Sequence, residues 1–273
     1  MIRFDRLTKT FDDKTAVDEL DLSVEDGELF VFLGPNGAGK STSIKTCATL
    51  LRPTSGQVLV DGIDVVADSL EVRKRIGYLP ENPFLYEGLS ARQMLCFVGE
   101  ARAMDGTRMQ RRTEELIGLL ELDEAADKPI RGYSHGMRKK VAIAAALLHD
   151  PHVLLFDEPT SGLDPRSARV VKDLLLGLRD RGATVFLSTH ILEVAERMCD
   201  RVGIIQQGSL ISVGTMEQLR AGRDASLEDI FLELTGGTEV AELAGYGSEA
   251  AFARVFKKDV GLSPAAYRNA RRA

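Results

Sequence analysis

Tryptophan is absent from the 273 residues, and cysteine occurs only at positions 47, 96 and 199. An odd number of widely spaced cysteines excludes a dense disulfide framework and the paired spacing of a structural zinc site, and it fits a reducing cytoplasm. No apolar run exceeds the eight residues 141–148, whereas a transmembrane helix needs roughly 20. The opening residues, MIRFDRLTKT, also lack the apolar centre of a signal peptide.

The chain has no large excess of one sign of charge. Its 41 acidic and 35 basic side chains give a net charge of −6, which argues against nucleic acid as the main partner of the whole chain. Hydrophobic residues make up 44% and charged residues 28%, as in an ordinary globular protein. A chain of this length is expected to form one large domain, with or without a small appendage.

Short apolar runs alternate with helical patterns along most of the chain. The first 28 residues predict extended segments with turns at FDDKT and EDGE. The other predicted strands are residues 29–33, 57–60, 76–79, 153–156 and 184–188, and the predicted helices are residues 40–51, 137–148 and 166–179. Residues 90–120 are also helical in period, with a break at Asp105-Gly106. This alternation predicts an α/β fold with a parallel sheet and a mostly helical insertion at about 90–135.

A glycine-rich loop, GPNGAGKST, lies between the predicted strand 29–33 and the helix that follows it. The pattern G-x-x-x-x-G-K-[ST] in this setting predicts a phosphate-binding P-loop, because successive backbone N–H groups can curl around phosphate oxygens. Lys40 would bring a positive charge to the β- and γ-phosphates, and Ser41 would bind Mg²⁺. The predicted nucleotide-binding residues of this loop are Gly34, Pro35, Asn36, Gly37, Ala38, Gly39, Lys40, Ser41 and Thr42.

Two other apolar strands end in polar side chains. The stretch VLLFDEP ends in Asp157 and Glu158, and VFLSTH ends in His190. We expect Asp157 to hold Mg²⁺ and Glu158 to polarise an attacking water. His190 could contact the γ-phosphate, although a histidine at a strand end is more often a surface or capping residue. An acidic strand cap is the corresponding structural alternative for the two carboxylates.

The motifs GPNGAGKST, YSHGM, LLFDEP, SGLD and STH occur in an order that resembles the ATP-binding subunit of an ABC transporter. The resemblance covers about residues 2–235. It implies a recA-like P-loop ATPase core with an N-terminal antiparallel β subdomain and a helical subdomain at about 90–145, within one ATPase domain of residues 1–235. It also implies ATP and Mg²⁺ as cofactors, and hydrolysis that depends on Lys40, Glu158 and His190.

The same resemblance implies two more contacts with the nucleotide. Phe11 matches the aromatic residue that stacks on adenine. Glu81, in YLPENPF, stands where the family normally has a glutamine that senses the γ-phosphate. A carboxylate at that position can still approach Mg²⁺ or water, but it adds a negative charge.

The loop YSHGM resembles the family's signature motif, and this implies a partner subunit. In a head-to-tail dimer, Ser134 and Gly136 would bind the γ-phosphate of ATP held by the P-loop of the second subunit. Asp164, in SGLD, would lie in the loop that touches that subunit. The motif departs from the family pattern at Met137 and at His135, whose side chain is expected to point outward.

A separate membrane permease is the second implied partner, and it would place the chain on the inner face of the cell membrane. Phe84, Leu85 and Tyr86 could form the docking surface for its coupling helix, or they could be core residues. The sequence therefore predicts the ATP-hydrolysing motor subunit of an ABC transporter, of the exporter type.

Residues 238–273 do not match that family. GYGS followed by AFARVFKKDVGLSPAAYR resembles the second helix-turn-helix of AraC/XylS-type transcription regulators. We expect a small all-α tail with helices at about 238–244, 248–259 and 263–271. The resemblance leaves open a DNA-binding regulator whose ATPase module dimerises it, against a fused or docked helical cap without DNA binding.

Overall fold

The structure is a computed structural model, and it describes residues 1–220 and 226–235. The tail predicted at 238–273, with its three helices, lies outside the described residues. Within the described ranges, no helix has both the length and the apolar character needed to cross a bilayer.

The described residues form strands and helices that alternate along the chain. The strands are β1 (Ile2–Phe11), β2 (Lys14–Val24), β3 (Leu29–Leu33), β4 (Ser55–Val60), β5 (Ile63–Asp64), β6 (Ile76–Leu79), β7 (Val153–Asp157), β8 (Thr184–Thr189), β9 (Arg201–Gln206) and β10 (Ser209–Gly214). The α-helices are α1 (Lys40–Cys47), α2 (Ser69–Arg75), α3 (Ala91–Ala101), α4 (Gly106–Leu119), α5 (His135–Leu147), α6 (Pro165–Asp180), α7 (Leu192–Met198), α8 (Met216–Arg220) and α9 (Leu227–Thr235).

The central sheet has the strand order β10-β9-β3-β8-β7-β6. The strands from β9 to β6 pair in parallel, and β10 joins the edge in antiparallel orientation. Because β3, β8 and β7 are neighbours, their carboxyl ends meet at one edge of the sheet. That edge is where the sequence places the P-loop, His190 and the pair Asp157 and Glu158, as predicted for a parallel α/β sheet.

The N-terminal strands form a second, antiparallel sheet with the order β2-β1-β4-β5. This confirms the predicted antiparallel β subdomain. Alternate side chains of β3 divide the core between the two sides of the central sheet. Phe30 and Phe32 pack with Phe4 and Phe186 on the side of the β subdomain, with ring centroids of Phe30, Phe32 and Phe4 at 5.7, 5.6 and 5.7 Å from Phe186.

The helical subdomain consists mainly of α3, α4 and α5. Ser90 and Gln93 form a reciprocal capping box at the start of α3, and Asp105 caps α4. The predicted break at Asp105-Gly106 is therefore a helix start. The apolar half of α5 is buried, including Val141, Ile143 and Leu147, which fixes this helix to the body of the protein.

Two boundaries differ from the sequence prediction. The helix predicted at 40–51 ends at Cys47, because Thr49 adopts a left-handed backbone with φ 65° and the Leu50 N–H turns back to the Lys45 carbonyl. The strand predicted at 57–60 begins at Ser55 and pairs with β1, so it belongs to the antiparallel sheet.

Candidate active site

The P-loop runs between β3 and α1 with almost no space on its inner side. A Cβ atom at Gly34 would lie 2.3 Å from the Ile205 carbonyl oxygen, and one at Gly39 would lie 2.5 Å from the Ala16 oxygen. Gly39 also has φ 109°, a conformation that costs L side chains strain. Glycine is therefore required where the loop presses against strand β9 and against strand β2.

The outer side of the same loop is open. Asn36 and Gly37 are exposed, and a Cβ atom at Gly37 would meet no heavy atom within 4 Å. Ser41 and Thr42 follow in the first turn of α1 and are half-buried. The backbone of the loop thus offers an open concave face at a helix N-terminus, which suits a phosphate group.

Lys40 folds back over the loop that precedes it. Its Nζ atom donates to the carbonyl oxygens of Gly34, at 2.5 Å, and Pro35, at 2.9 Å, and the residue is only 5% exposed. Burial lowers the pKa of Lys40, and the negative charges of Glu158, Asp157 and Glu81 oppose that lowering. The ammonium group is held at the place where phosphate oxygens would compete with the two carbonyl groups for its hydrogens.

Asp157 has one partnered and one unpartnered oxygen. Its Oδ1 atom accepts a hydrogen bond from Ser188 Oγ at 2.5 Å, while Oδ2 is buried and has no donor among the described residues. A buried carboxylate oxygen without a donor is costly unless a cation or a water satisfies it. With the Ser41 hydroxyl on the adjacent P-loop, this donor set fits Mg²⁺, which prefers oxygen ligands.

Glu158 is held in one orientation by its neighbours. Its Oε1 atom lies 2.8 Å from His190 Nδ1, and its Oε2 atom accepts from Thr189 Oγ1 at 3.2 Å. Its backbone has φ 50°, which is strained for a residue other than glycine and recurs at active sites. The hydrogen bond to Glu158 raises the pKa of His190 above that of a free imidazole.

Glu81 follows β6, the parallel neighbour of β7, and so lies at the same end of the sheet as Asp157 and Glu158. The Glu81 side chain is exposed, and its charge acts on both Lys40 and His190. Its backbone oxygen accepts a hydrogen bond from Lys139 Nζ at 2.9 Å. Sequence reasoning missed Lys139, although one signal existed: it lies four residues before the buried Ile143 and therefore on the buried face of α5.

Phe11 ends β1 at the edge of the β subdomain. Its ring is 43% exposed, and Lys9 Nζ lies 4.9 Å from the ring centroid. An exposed aromatic face backed by a cation can stack on a flat base. Its part in nucleotide binding stays a prediction.

The loop YSHGM lies against the turn of residues 161–164 in its own chain. Ser134 Oγ caps α5 by accepting from the Met137 N–H at 3.3 Å, and Asp164 Oδ1 caps α6 by accepting from the Ser167 N–H at 3.0 Å. His135 is exposed, as predicted, yet its ring closely approaches Gly162: a Cβ atom there would lie 3.0 Å from His135 Nε2. The atoms nearest to a Cβ at Gly136 likewise belong to residues 163–167.

Comparisons with known proteins match this architecture. The family model described as "ABC transporter" matches residues 17–161. The Daunorubicin resistance ATP-binding protein DrrA3 of Streptomyces coeruleorubidus is 40% identical over 244 residues, which cover 89% of this chain and 77% of that protein.

Two solved structures share the fold closely. One is described as the ATP-binding subunit of an ABC transporter, with a TM-score of 0.81, 31% identity, and coverage of 86% of this chain and 99% of that chain. The other is the dimeric post-hydrolysis state of the ATP-binding cassette MJ0796 bound to ADP and Pi, with a TM-score of 0.71, 28% identity, and coverage of 79% and 99%.

Proposed function

The chain belongs to the ABC transporter family as an ATP-binding and ATP-hydrolysing subunit, and from this we propose that it drives the export of a small molecule as a head-to-tail dimer docked on separate membrane subunits. ATP and Mg²⁺ are its cofactors. The observation that carries the proposal is the meeting of the P-loop, Asp157 and Glu158 at one sheet edge, while the YSHGM loop contacts residues 162–167.

In the proposed site, each polar side chain has a separate task. The P-loop N–H groups and Lys40 bind the phosphates, and Asp157 and Ser41 hold Mg²⁺, which neutralises charge on the β- and γ-phosphates when it is bound. Glu158, oriented by His190 and Thr189, accepts a proton from the water that attacks the γ-phosphate. Phe11 stacks on the adenine ring.

The proposed dimer follows from the position of the YSHGM loop. Ser134 and Gly136 lie at the start of helix α5, so the positive, N-terminal end of the helix dipole lies at this loop. The nearest atoms outside the loop belong to residues 162–167 of the same chain. A second copy, or a close relative, would supply the γ-phosphate to this anion site, as MJ0796 is dimeric in its post-hydrolysis state.

A groove between the central sheet and the helical subdomain is the proposed docking site for the membrane subunit. It has a volume of about 590 Å³ and is lined mainly by apolar side chains, together with Arg73 and Arg102. Phe84 is 84% exposed at its edge, and Tyr86 and Phe97 extend the aromatic surface. Leu85, in contrast, is buried, so only part of the predicted apolar trio is available to a partner.

The occupant proposed for this groove is a short amphipathic helix of the permease. Phe84 lies three residues after Glu81, so one short segment joins the groove to the catalytic edge of the sheet. A helix seated beside Phe84 would therefore sense any displacement of Glu81. The cargo class follows DrrA3, which is named for daunorubicin resistance, and we propose a drug-like amphiphile moved outward from the cytoplasmic face.

A membrane experiment tests the proposed function. The tagged chain is extracted in mild detergent from membranes of its host, and the co-purifying integral membrane protein is identified. Phe84→Ser should lower recovery of that partner by about tenfold, since exposed aromatic anchors dominate interfaces. Ile211→Ser is the matched control, because Ile211 is also exposed, at 41%, but lies on β10 outside the groove.

Two results would contradict the proposal. One is the absence of any co-purifying membrane protein from cells that express the whole operon or locus. The other is an equal loss of partner with Phe84→Ser and Ile211→Ser. None of the proteins compared above is named for DNA binding, so the DNA-binding alternative is not proposed.

A further inference from the structure

Lys139 is a buried cation whose only described hydrogen-bond partner is uncharged. The residue is 1% exposed, and its Nζ atom donates to the Glu81 backbone oxygen at 2.9 Å. No carboxylate oxygen of the described residues lies within 4.0 Å of this nitrogen. Burying an ammonium group is costly unless other charges compensate it, so the position requires a source of negative potential.

The compensating charge comes from the catalytic edge of the sheet. Burial lowers the pKa of Lys139, and the negative charges of Glu158, Glu81 and Asp157 oppose that lowering. The same three carboxylates act on Lys40. Two lysines from different elements, the P-loop and α5, therefore feel the negative charge of the same three acids.

The three acids create a problem for a nucleotide. A triphosphate that enters beside Glu81, Asp157 and Glu158 brings further negative charge, and like charges at close range repel one another. Lys40 binds the phosphates in the proposed site, but it brings one positive charge against three carboxylates. A second buried cation near Glu81 offsets this repulsion without occupying the space of the phosphates.

We propose that Lys139 is a positioning residue for ATP hydrolysis, which ties the Glu81 segment to α5 and supplies the positive charge that allows the Glu81 carboxylate to face the triphosphate. This inference rests on ATP binding at the P-loop and on the assignment of Glu81 to the site. Lys139 does not need to contact the nucleotide, because it acts through its hydrogen bond to the Glu81 backbone and through the electrostatic potential of its positive charge.

The same contact joins the Glu81 segment to helix α5. Lys139 lies five residues after Ser134, in the helix that the signature loop begins, and Glu81 lies three residues before Phe84. A displacement of the Glu81 segment is therefore passed to α5 through a hydrogen bond that spans 58 positions of sequence. The signature loop of one subunit is in this way coupled to the nucleotide held by its own P-loop.

A charge-balance experiment distinguishes this role from simple packing. Lys139→Met should raise the Kd of a fluorescent ATP analogue, measured without Mg²⁺, by about fivefold or more, within the range of coupling between neighbouring groups. Adding Glu81→Gln should bring the Kd back to within about twofold of wild type, because one charge of each sign is then removed. A purely structural hydrogen bond predicts no rescue, since Glu81→Gln keeps the backbone carbonyl that Lys139 contacts.

Lys140→Met is the matched control. Lys140 is the next residue of α5 and is also buried, at 5% exposure, but its Nζ atom lies 3.9 Å from Glu121 Oε2 instead of facing Glu81. Glu81→Gln should give no rescue in that background. Circular dichroism and thermal unfolding without nucleotide establish that each variant folds, and Lys139→Gln replaces Lys139→Met if the latter does not.

The proposal is wrong if Glu81→Gln fails to restore nucleotide binding to the neutral Lys139 variants, or if it restores Lys140→Met equally. Lys139→Arg, which retains the charge, should bind the analogue more tightly than Lys139→Met, and the reverse order would also overturn the proposal. Neither measurement uses a membrane, so a failure of the docking experiment leaves this comparison intact.

Discussion

His190 Nδ1 lies 2.8 Å from Glu158 Oε1, where the carboxyl ends of two neighbouring parallel strands meet. Each side chain limits the other. The imidazole holds the carboxylate in one rotamer, and the carboxylate raises the pKa of the imidazole. The pair therefore holds one carboxylate and one imidazole in fixed orientation at this end of the sheet, and the first two expectations concern it.

Glu158→Gln should bind ATP normally but lose about two to four orders of magnitude in the hydrolysis rate, because an amide cannot accept the proton of the attacking water. The variant should also accumulate as an ATP-bound dimer, visible by gel filtration. Lys40→Ala is the contrasting variant, since it removes the charge that binds phosphate and should weaken nucleotide binding itself. Near-normal turnover by Glu158→Gln would refute the assignment of the base.

The pairing of His190 with Glu158 should make stability depend on pH. The pKa of His190 in the folded protein is raised above its unfolded value of about 6.5. The charged pair with Glu158 therefore stabilises the fold fully below about pH 6.5, and this stabilisation is lost as the pH rises through the folded-state pKa. His190→Gln should therefore lower the free energy of unfolding by on the order of 1 kcal/mol more at pH 6 than at pH 9.

Denaturant titrations of the nucleotide-free protein at both pH values measure this difference. Lys40 and Glu81 also act on His190, with opposite signs, so the comparison is repeated in a Glu158→Gln background. The pH-dependent part should vanish there. A difference that persists without the carboxylate, or that grows toward high pH, would show that another partner raises the pKa.

Sequence predicts those parts of the site whose functional residues are close together in the chain and directly follow a recognisable strand. The P-loop is recognisable because its glycines, Lys40 and Ser41 are adjacent in sequence and lie between an apolar strand and a helix. Asp157 and Glu158 follow directly from a buried strand. Parallel pairing then brings these segments together, and that pairing was predictable from the β-then-α alternation.

The parts that sequence misses depend on contacts between distant segments. Lys139 and Glu81 are 58 positions apart, and the hydrogen bond uses a backbone oxygen that carries no sequence signal. The approach of His135 to Gly162 depends on how α5 and α6 pack. Strand β10 was missed because its antiparallel edge position leaves three of its six residues half-buried and two exposed, without a clear apolar alternation.

Mixing two inactive variants should restore activity if the proposed dimer is correct. Lys40→Ala disables the P-loop, and Gly136→Asp places a negative charge in the signature loop. In a head-to-tail dimer, each ATP site combines the P-loop of one subunit with the signature loop of the other. A dimer with one subunit of each kind therefore has one site with both substitutions and one site with neither. A Cβ at position 136 makes its nearest contact at 3.5 Å, to Leu163, so the second variant should fold.

Steady-state ATPase assays of the mixture, at equal subunit concentrations, measure the recovery. The expected ceiling is about one quarter of wild-type activity, because half of the dimers are mixed at random and each contains one intact site. The two variants mixed with themselves are the controls. No recovery in a mixture proven to exchange subunits would contradict the placement of Ser134 and Gly136 in the partner's site.

The last expectation separates the motor from the tail at the end of α9. Leu227, Ile230 and Phe231 are buried, and Phe231 packs in the main core, whereas the phosphate-handling motifs all lie upstream of residue 191. Ending the chain after Gly237 should leave ATP binding and hydrolysis within about threefold of the full chain, a change of only about 0.65 kcal/mol in barrier.

Shortening the chain further should be far more harmful, for a physical reason that does not involve the tail. Phe231→Ala alone should lower the free energy of unfolding by about 3–5 kcal/mol, the usual cost of deleting a buried aromatic ring. Leu234→Ala is the matched control on the same helix, since Leu234 is 39% exposed and should change stability by less than about 0.5 kcal/mol. Thermal unfolding and ATPase rates are measured for these variants and for the chain ended after Gly237.

A hundredfold loss of hydrolysis in the chain ended after Gly237, still folded by circular dichroism, would mean that residues 238–273 take part in ATP hydrolysis.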